Sequence, residues 1–339
     1  MALTLLTEPP AQAFAGNLLV YRANTTNLAE LVTLELTVAG QVYNFPSFPD
    51  ASGNAEFRIQ STVASAIAAE NLPNLAQLTN TFAIQSYSVV ISQVGETNLT
   101  PSSRQALIGA FEDQQYPSRS PTFFAATITL LTDQGQPNKR VGPSQRERLY
   151  FVTSLNFVEL RVDGNIIESI PTNANTIYGI DVSPSRFGIN DGNYTVDLGN
   201  GVVSQTYRVD IKPRAYIREY IYRNNFGMWE VLRTTGERNK TDKGQAQSAV
   251  LELPYNYTQA TGREVQYNIE NERMYLQRSG WLNKKEMSYL TYQLANAERI
   301  YEVLQDGSLL PFVIAKRTFK FEENAIGLQD LPIELILAY

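Results

Sequence analysis

The feature that most restricts the fold of this chain is the length and period of its apolar segments. These segments are short, and turn-forming residues separate them. In Leu31–Gly40, LVTLELTVAG, apolar residues alternate with threonine and glutamate. A period of two indicates a half-buried β-strand, because successive side chains of a strand point to opposite faces of its sheet. The sequence therefore predicts a mainly β protein built from multi-domain β-sandwiches.

Strand spacing and turn signals predict three domains in the 339 residues. Residues 1–121 are predicted to form an N-terminal β-sandwich with a short helical insertion, placed at Ser61–Leu72 by its helical spacing. Residues 122–212 contain six or seven short strands and Asp-Gly and Asn-Gly turns, which favour an immunoglobulin-like or fibronectin-like β-sandwich. Residues 213–339 are predicted to form a third sandwich. A chain of this length is expected to bury more than one core.

The third domain contains one well-specified amphipathic helix, predicted over residues 283–299. Asn283 is a favourable N-cap residue, and Glu286 stands three positions later, as in a capping box. An apolar stripe at helical spacing follows, formed by Met287, Leu290, Leu294 and Ala297. The stripe predicts that this helix packs on one face of the C-terminal sandwich.

Composition argues against several classes of function. The chain has no histidine and no cysteine, which removes the commonest general base, the commonest metal ligand and any disulfide framework. Phosphate-binding loop motifs and the GxSxG motif are absent. A net charge of −6 does not favour binding to nucleic-acid phosphates. We therefore predict no enzymatic activity, no cofactor, no metal site and no specific nucleic-acid binding.

Carboxylates are the acid–base groups that remain in quantity. Glu112–Asp113 and Glu322–Glu323 are adjacent pairs, and Glu270 and Glu272 stand two apart. A glycoside hydrolase needs two carboxylates that face each other across a cleft. Adjacent strand residues point to opposite faces, so we interpret these pairs as solvated acidic surface.

Two basic segments, Asp133–Arg148 and Arg233–Lys243, are predicted as polar loops. Two interpretations stay open for them: a solvated loop, or a contact with acidic surface on another subunit of this net-negative chain. The candidate subunit-interface residues are Arg140, Arg146, Arg148, Arg233, Arg238, Lys240 and Lys243.

The 19 tyrosines and 15 phenylalanines fall mostly in the predicted strands, where aromatic rings pack well across strand pairs. We interpret most of them as core residues. The candidates for exposed rings are Tyr220, Tyr222, Tyr255, Tyr257 and Tyr267. Exposed rings of this kind would suit the alternative function, a surface adhesin or receptor-binding module that contacts a host-surface glycan.

Four segments carry a resemblance to a known group of proteins. They are PPAQAFAGNLLVYRANTTN near the start, YRNNFGMWEVLRTTGE from Tyr222, YLQRSGWLNKKEMSYLTYQLANAERIYEV from Tyr275, and the terminal LLPFVIAKRTFKFEENAIGLQDLPIELILAY. These segments resemble structural proteins encoded by tailed phages and prophages of Bacteroidetes. They cover about the first 40 and the last 125 residues of the chain.

The resemblance implies a non-enzymatic component of a phage or phage-like particle, in the tail, tail tip or baseplate. It implies a tail-tube-like fold for residues 213–339 and assembly as a multi-copy ring with other virion proteins. The chain would be made in the cytoplasm of a bacterial host and end in the virion tail. The N-terminus lacks a secretory pattern, and no window is apolar enough to predict a membrane partner. We predict that the segment Arg233–Ser248 is an arm that crosses to an adjacent subunit.

Overall fold

A computed structural model describes residues 3–67, 79–107, 109–110, 123–124, 126–132, 138–174, 176–210, 216–250, 264–297, 299–319 and 327–338. The chain divides into two compact units. The first comprises Met1–Ile211 and Arg223–Val231, and the second comprises Lys212–Tyr222 and Leu232–Tyr339. The predicted boundaries after residues 121 and 212 stay predictions.

The described elements are mostly short strands. In the first half of the chain they are β1 (Thr4–Thr7), β2 (Gln12–Phe14), β3 (Val20–Asn24), β4 (Val32–Val38), β5 (Gln41–Ser47), β6 (Asn54–Arg58), α1 (Gln60–Ala66), β7 (Thr79–Ala83), β8 (Gln85–Gln93), β9 (Arg104–Leu107), β10 (Ile128–Leu130), β11 (Lys139–Val141), β12 (Arg148–Thr153), β13 (Phe157–Val162) and β14 (Asn165–Pro171). They continue with β15 (Thr176–Asp181), β16 (Gly192–Leu198), β17 (Val203–Val209), β18 (Arg218–Arg223), β19 (Trp229–Thr234), β20 (Arg238–Val250), β21 (Glu264–Leu282), α2 (Lys284–Asn296), β22 (Ile300–Val303), β23 (Leu309–Ile314) and β24 (Gln329–Leu337).

The N-terminal part of the first unit contains two sheets around one hydrophobic cluster. Their strand orders are β1-β3-β6 and β2-β9-β8-β4-β5. The alternation predicted for Leu31–Gly40 is confirmed, because Leu34 and Leu36 of β4 are fully buried with Tyr21 of β3. Helix α1 covers part of the predicted span Ser61–Leu72, and residues 68–72 lie outside the described part of the chain.

A second pair of sheets in the first unit has the strand orders β10-β12-β15-β7 and β11-β17-β16-β13-β14. Side chains from both sheets form one core, among them Phe151 and Ile180 from the first sheet and Leu160 and Tyr207 from the second. Strand β7 joins this pair through antiparallel pairing with β15. The edge strand β11 pairs in parallel with β17. These sheets confirm the prediction of β-sandwiches.

The described strands of the second unit form one seven-stranded sheet with the order β19-β18-β22-β23-β24-β21-β20. Helix α2 packs on it through Met287, Leu290 and Leu294, as the apolar stripe predicts. Asn283 and Glu286 form the predicted capping box, in which each side chain accepts from the other residue's backbone N–H. The helix ends at Asn296 rather than at residue 299, because the chain turns extended at Ala297 and enters β22.

Two loop predictions need correction. The segment Arg233–Lys243 is not a polar loop. Arg233 and Thr234 end β19, and Arg238–Lys243 belong to strand β20, which pairs with β21 along its length. The polar segment Asp133–Arg148 is interrupted by strand β11, while residues 133–137 lie outside the described part of the chain. Both strands carry polar residues on two faces, so neither shows the apolar alternation by which strands are usually predicted.

Candidate functional site

The hairpin of β20 and β21 extends beyond the sheet to which it belongs. Strand β21 pairs with β24 only from Met274 to Leu282. Beyond the Thr241–Met274 pair, the structure describes pairing of β20 and β21 with each other alone. This pairing continues to Val250, which lies opposite Glu264. We call residues 242–250 and 264–273 the ribbon. At about 3.4 Å per residue, nine residues span roughly 30 Å.

Charged side chains mark the start of the ribbon. Asp242 lies 3.1 Å from Lys240 Nζ and accepts a hydrogen bond of 3.0 Å from Arg273 Nε. These bonds, with that from Arg273 as the larger cause, lower the pKa of the Asp242 carboxyl below its ordinary value. Lys243 stands opposite Glu272 in the register, a pairing of opposite charges. Near the far end, the Val250 side chain is 63% exposed.

The ribbon is anchored at its base by an ionic contact. The Arg238 guanidinium lies 2.8 Å from Glu302 of β22 and 3.9 Å from the centre of the Tyr275 ring. Glu302 also accepts a hydrogen bond of 2.5 Å from Arg218 Nη1. Glu302 is 2% exposed, and these guanidinium groups offset the cost of burying its carboxylate. This arrangement fixes the first residue of β20 in the interior of the second unit.

The candidate interface residues separate into two groups. Arg146, Lys240 and Lys243 are exposed, and Arg140 and Arg233 are half-buried. Arg148 is 2% exposed, and burial lowers the pKa of its guanidinium. The Arg238 side chain is 11% exposed and pairs with Glu302. Because Arg148 and Arg238 point into their own chain, the interface prediction now depends on the exposed residues.

The first unit contains a buried ionic centre that consists of Lys139, Glu147 and Glu230. Lys139 Nζ lies 2.8 Å from Glu147 Oε1 and 3.7 Å from Glu230 Oε1. The lysine side chain is 6% exposed, and both glutamate side chains are 0% exposed. Burial of charge costs several kcal/mol per ion unless close partners compensate, so such a cluster is uncommon in a small sandwich.

Hydrogen-bond donors surround both carboxylates of the ionic centre. Glu147 Oε2 accepts from Gln145 Nε2 at 3.0 Å, and Glu147 Oε1 accepts from the Arg148 backbone N–H at 3.3 Å. Glu230 Oε2 accepts from Asn224 Nδ2 at 3.2 Å. Since Lys139 belongs to β11 and Glu147 directly precedes β12, the centre connects the two sheets of this sandwich.

The sequence predicts Lys139 in a polar loop, either solvated or in contact with another subunit, and does not single out Glu147 or Glu230. No local pattern could have found the centre, because Glu230 lies 91 residues beyond Lys139 in the sequence. Only the tertiary fold of the first unit brings the three side chains together.

The prediction that Tyr220 and Tyr222 expose their rings is wrong. Tyr220 and Tyr222 are each 1% exposed and belong to the core of the second unit. Tyr255 and Tyr257 and the side chain of Tyr267 lie outside the described residues.

In the described part of the chain, no group of three or more acidic residues is placed to hold a metal ion. None of the described helices is long and apolar enough to cross a membrane.

No protein-family model matches this chain, and no curated protein matches it. Among solved structures, the fibronectin(III)-like modules of CbhA from Clostridium thermocellum align with 11% identity over 63% of this chain and 98% of that chain, with a TM-score of 0.18. A Ca²⁺-stabilised ice-binding adhesin of an Antarctic bacterium aligns with 10% identity over 98% of this chain and 90% of that chain, with a TM-score of 0.18. Extracellular domains 3–5 of Drosophila OTK align with 12% identity over 81% and 91%, with a TM-score of 0.23. Similarities at these TM-scores assign neither a family nor a function to the chain.

Proposed function

We propose that this protein is a non-enzymatic structural component of a phage or phage-like particle, which assembles in multiple copies as a ring in the tail, tail tip or baseplate. The resemblance of its two ends to phage structural proteins supplies the setting. The observation that carries the assembly step is the ribbon, which extends past the last strand that supports it.

The stability of isolated hairpins supports this role for the ribbon. A two-stranded hairpin in water is at best marginally stable, because it lacks a third strand or a packed face. The ribbon also has exposed residues at Asp242, Lys243, Gly244 and Val250. A surface on a neighbouring copy would cover these groups and add strand or side-chain contacts. A head-to-tail contact of this kind generates a ring when repeated rotation from one subunit to the next returns to the first subunit.

The charges of the ribbon suit a contact that depends on ionic strength. Asp242, Lys243 and Arg273 of the ribbon and the neighbouring Lys240 are exposed, and the chain as a whole carries a net charge of −6. Contacts between exposed charges weaken with salt, since the Debye length falls to about 8 Å at physiological ionic strength. Assembly through the ribbon is therefore expected to weaken as salt rises.

The test compares the full-length protein with a shortened variant in which an Asn-Gly turn joins Thr241 directly to Met274. This change removes the ribbon and keeps every strand pair of the sheet, because Asn-Gly closes a two-residue hairpin. Mass photometry over a concentration series should show multimers of the full-length protein and monomers of the variant. Circular dichroism should show that the variant still folds.

The setting in a particle has its own test. Quantitative mass spectrometry of purified particles from the phage or lysogen that encodes the chain should find it in several copies per particle.

Two outcomes would contradict these proposals. In mass photometry, multimers of unchanged size in the shortened variant would contradict the role of the ribbon. Absence of the chain from purified particles, together with polysaccharide binding by a monomer, would overturn the structural role and favour an adhesin.

A further inference from the structure

The ionic centre of the first unit has the components of an amide-forming site. We propose that Lys139 and Glu147 condense in the folded chain to form an intramolecular isopeptide bond, with Glu230 as the base that moves the protons. The proposal is independent of the function proposed above.

The nucleophile and the electrophile are already in contact. Lys139 Nζ lies 2.8 Å from Glu147 Oε1, which places the nitrogen near the Glu147 carboxyl carbon. The lysine side chain is 6% exposed and the glutamate side chain is 0% exposed. Proton transfer between the two contacting groups would give a neutral amine and a neutral acid, which avoid the cost of burying charge. A neutral lysine amine is a competent nucleophile toward a carbonyl carbon.

The groups around this contact suit the remaining roles in the reaction. Glu230 Oε1 lies 3.7 Å from Lys139 Nζ and can accept its protons. Gln145 Nε2 and the Arg148 backbone N–H both donate to the Glu147 carboxyl oxygens, at 3.0 and 3.3 Å. They reach different oxygens, Oε2 from Gln145 and Oε1 from Arg148. In the tetrahedral intermediate, the donor to the oxygen that stays on the carbon would stabilise its negative charge.

The reaction balances without a cofactor or an oxidant. Lys139 passes one proton through Glu230 to the Glu147 carboxylate, and the neutral amine then attacks the Glu147 carboxyl carbon. The intermediate loses a second proton from nitrogen to Glu230, which delivers it to the departing hydroxyl group. The carbon–oxygen bond breaks, water leaves, and one amide N–H remains between the two side chains.

Proximity lowers the barrier that makes this condensation slow in solution. Well-oriented groups within one molecule react as if at effective concentrations of roughly 10⁵–10⁸ M. Conversion of the buried ion pair into a neutral amide would also remove the cost of burying two charges. Burial of the centre also limits the return of water. The product would link β11 to the start of β12, and it would therefore tie together the two sheets of the sandwich by a covalent bond.

Intact mass spectrometry of the denatured full-length protein tests the proposal directly. We expect the wild-type mass to lie below the sequence mass by one water molecule. Trypsin should then fail to cleave after Lys139, and it should release the dipeptide Glu147–Arg148 attached to the peptide that ends at Arg140. The Lys139→Arg variant keeps a positive charge but lacks the amine nucleophile, so it should have the full sequence mass. Glu230→Gln should slow or abolish the loss of water.

Two results would overturn the proposal. The first is a wild-type protein that keeps its full sequence mass after prolonged incubation in the folded state. The second is a loss of water that tandem mass spectrometry places elsewhere, for example in a succinimide at Asp163–Gly164 or Asp306–Gly307. Such a loss would persist in the Lys139→Arg variant, so this variant separates the two chemistries even if it is less stable.

Discussion

Substitution of Glu302 by glutamine tests how the base of the ribbon is held. Glu302 is 2% exposed and lies 2.5 Å from Arg218 and 2.8 Å from Arg238. Glutamine keeps the size of the side chain and one acceptor oxygen but removes the negative charge. The Arg238 side chain, which is 11% exposed, would then lose the carboxylate that offsets the cost of its burial.

The expected loss follows from these exposures. Removal of one partner from a buried ion pair costs about 3–5 kcal/mol. The Arg218 side chain is 40% exposed, and a solvated partner of this kind adds only about 0–1 kcal/mol. Arg238 keeps its contact with the Tyr275 ring, which retains part of the stabilisation. We therefore expect Glu302→Gln to lower the free energy of unfolding of the second unit by about 3 kcal/mol.

Urea unfolding with hydrogen exchange by mass spectrometry measures this loss in each unit separately. The matched control is Glu56→Gln, because Glu56 pairs with Arg22 and Arg58 at the surface of the first unit. The control should cost much less than Glu302→Gln, because ion pairs between solvent-exposed groups contribute little to stability. Equal losses in the two variants, or a loss from Glu302→Gln that spares exchange in β20 and β22, would refute the reasoning.

Four further outcomes are expected. Asn283→Ala removes the N-cap of α2 and should cost about 1 kcal/mol in urea unfolding, with Asn296→Ala at the other end of the helix as the comparison. Gly280→Ala should destabilise the second unit by more than Gly307→Ala. Both glycines have a φ of +82°, but a Cβ at Gly280 would also lie 2.0 Å from Thr235 Oγ1, whereas a Cβ at Gly307 would meet nothing within 4 Å. Equal losses of stability would show that backbone strain alone decides. Burial raises the pKa of Tyr21 to about 12, so between about pH 10 and pH 12 the folded state keeps a proton that the unfolded state loses. The free energy of unfolding should therefore fall by on the order of 2 kcal/mol as the pH rises from about 10 to about 12. The same fall in Tyr21→Phe would contradict this cause. Val250→Asp should weaken assembly at least about tenfold (1.4 kcal/mol) if the exposed valine of the ribbon is covered by a neighbour, whereas Val94→Asp, an exposed valine of the first unit, should leave assembly unchanged.

The sequence predicts those parts of the fold whose signals are local. The alternation in β4 and the capping box of α2 depend on residues a few positions apart, and both are present in the structure. Strand β20 is predicted as a loop because residues 238–248 are mostly polar at both alternating positions and show no apolar alternation. Tyr220 and Tyr222 show the related limit, because a strand pattern does not reveal which of its faces are covered.

The candidate sites depend on contacts that no local pattern encodes. Lys139 meets Glu230, and Arg238 meets Glu302, only after distant segments have packed together. The basic residues that the sequence groups by proximity therefore separate in the structure. Arg148 and Arg238 point inward. Lys240, just before the ribbon, and Lys243, within it, are exposed.

Mass photometry of the purified full-length protein over a concentration series, followed by negative-stain imaging of the large species, tests the central claim most directly. Assembly through the ribbon predicts discrete multimers that grow with concentration, weaken with salt and form rings or stacked discs. A strict monomer at every concentration and at low salt would contradict the claim that this chain assembles through its own ribbon.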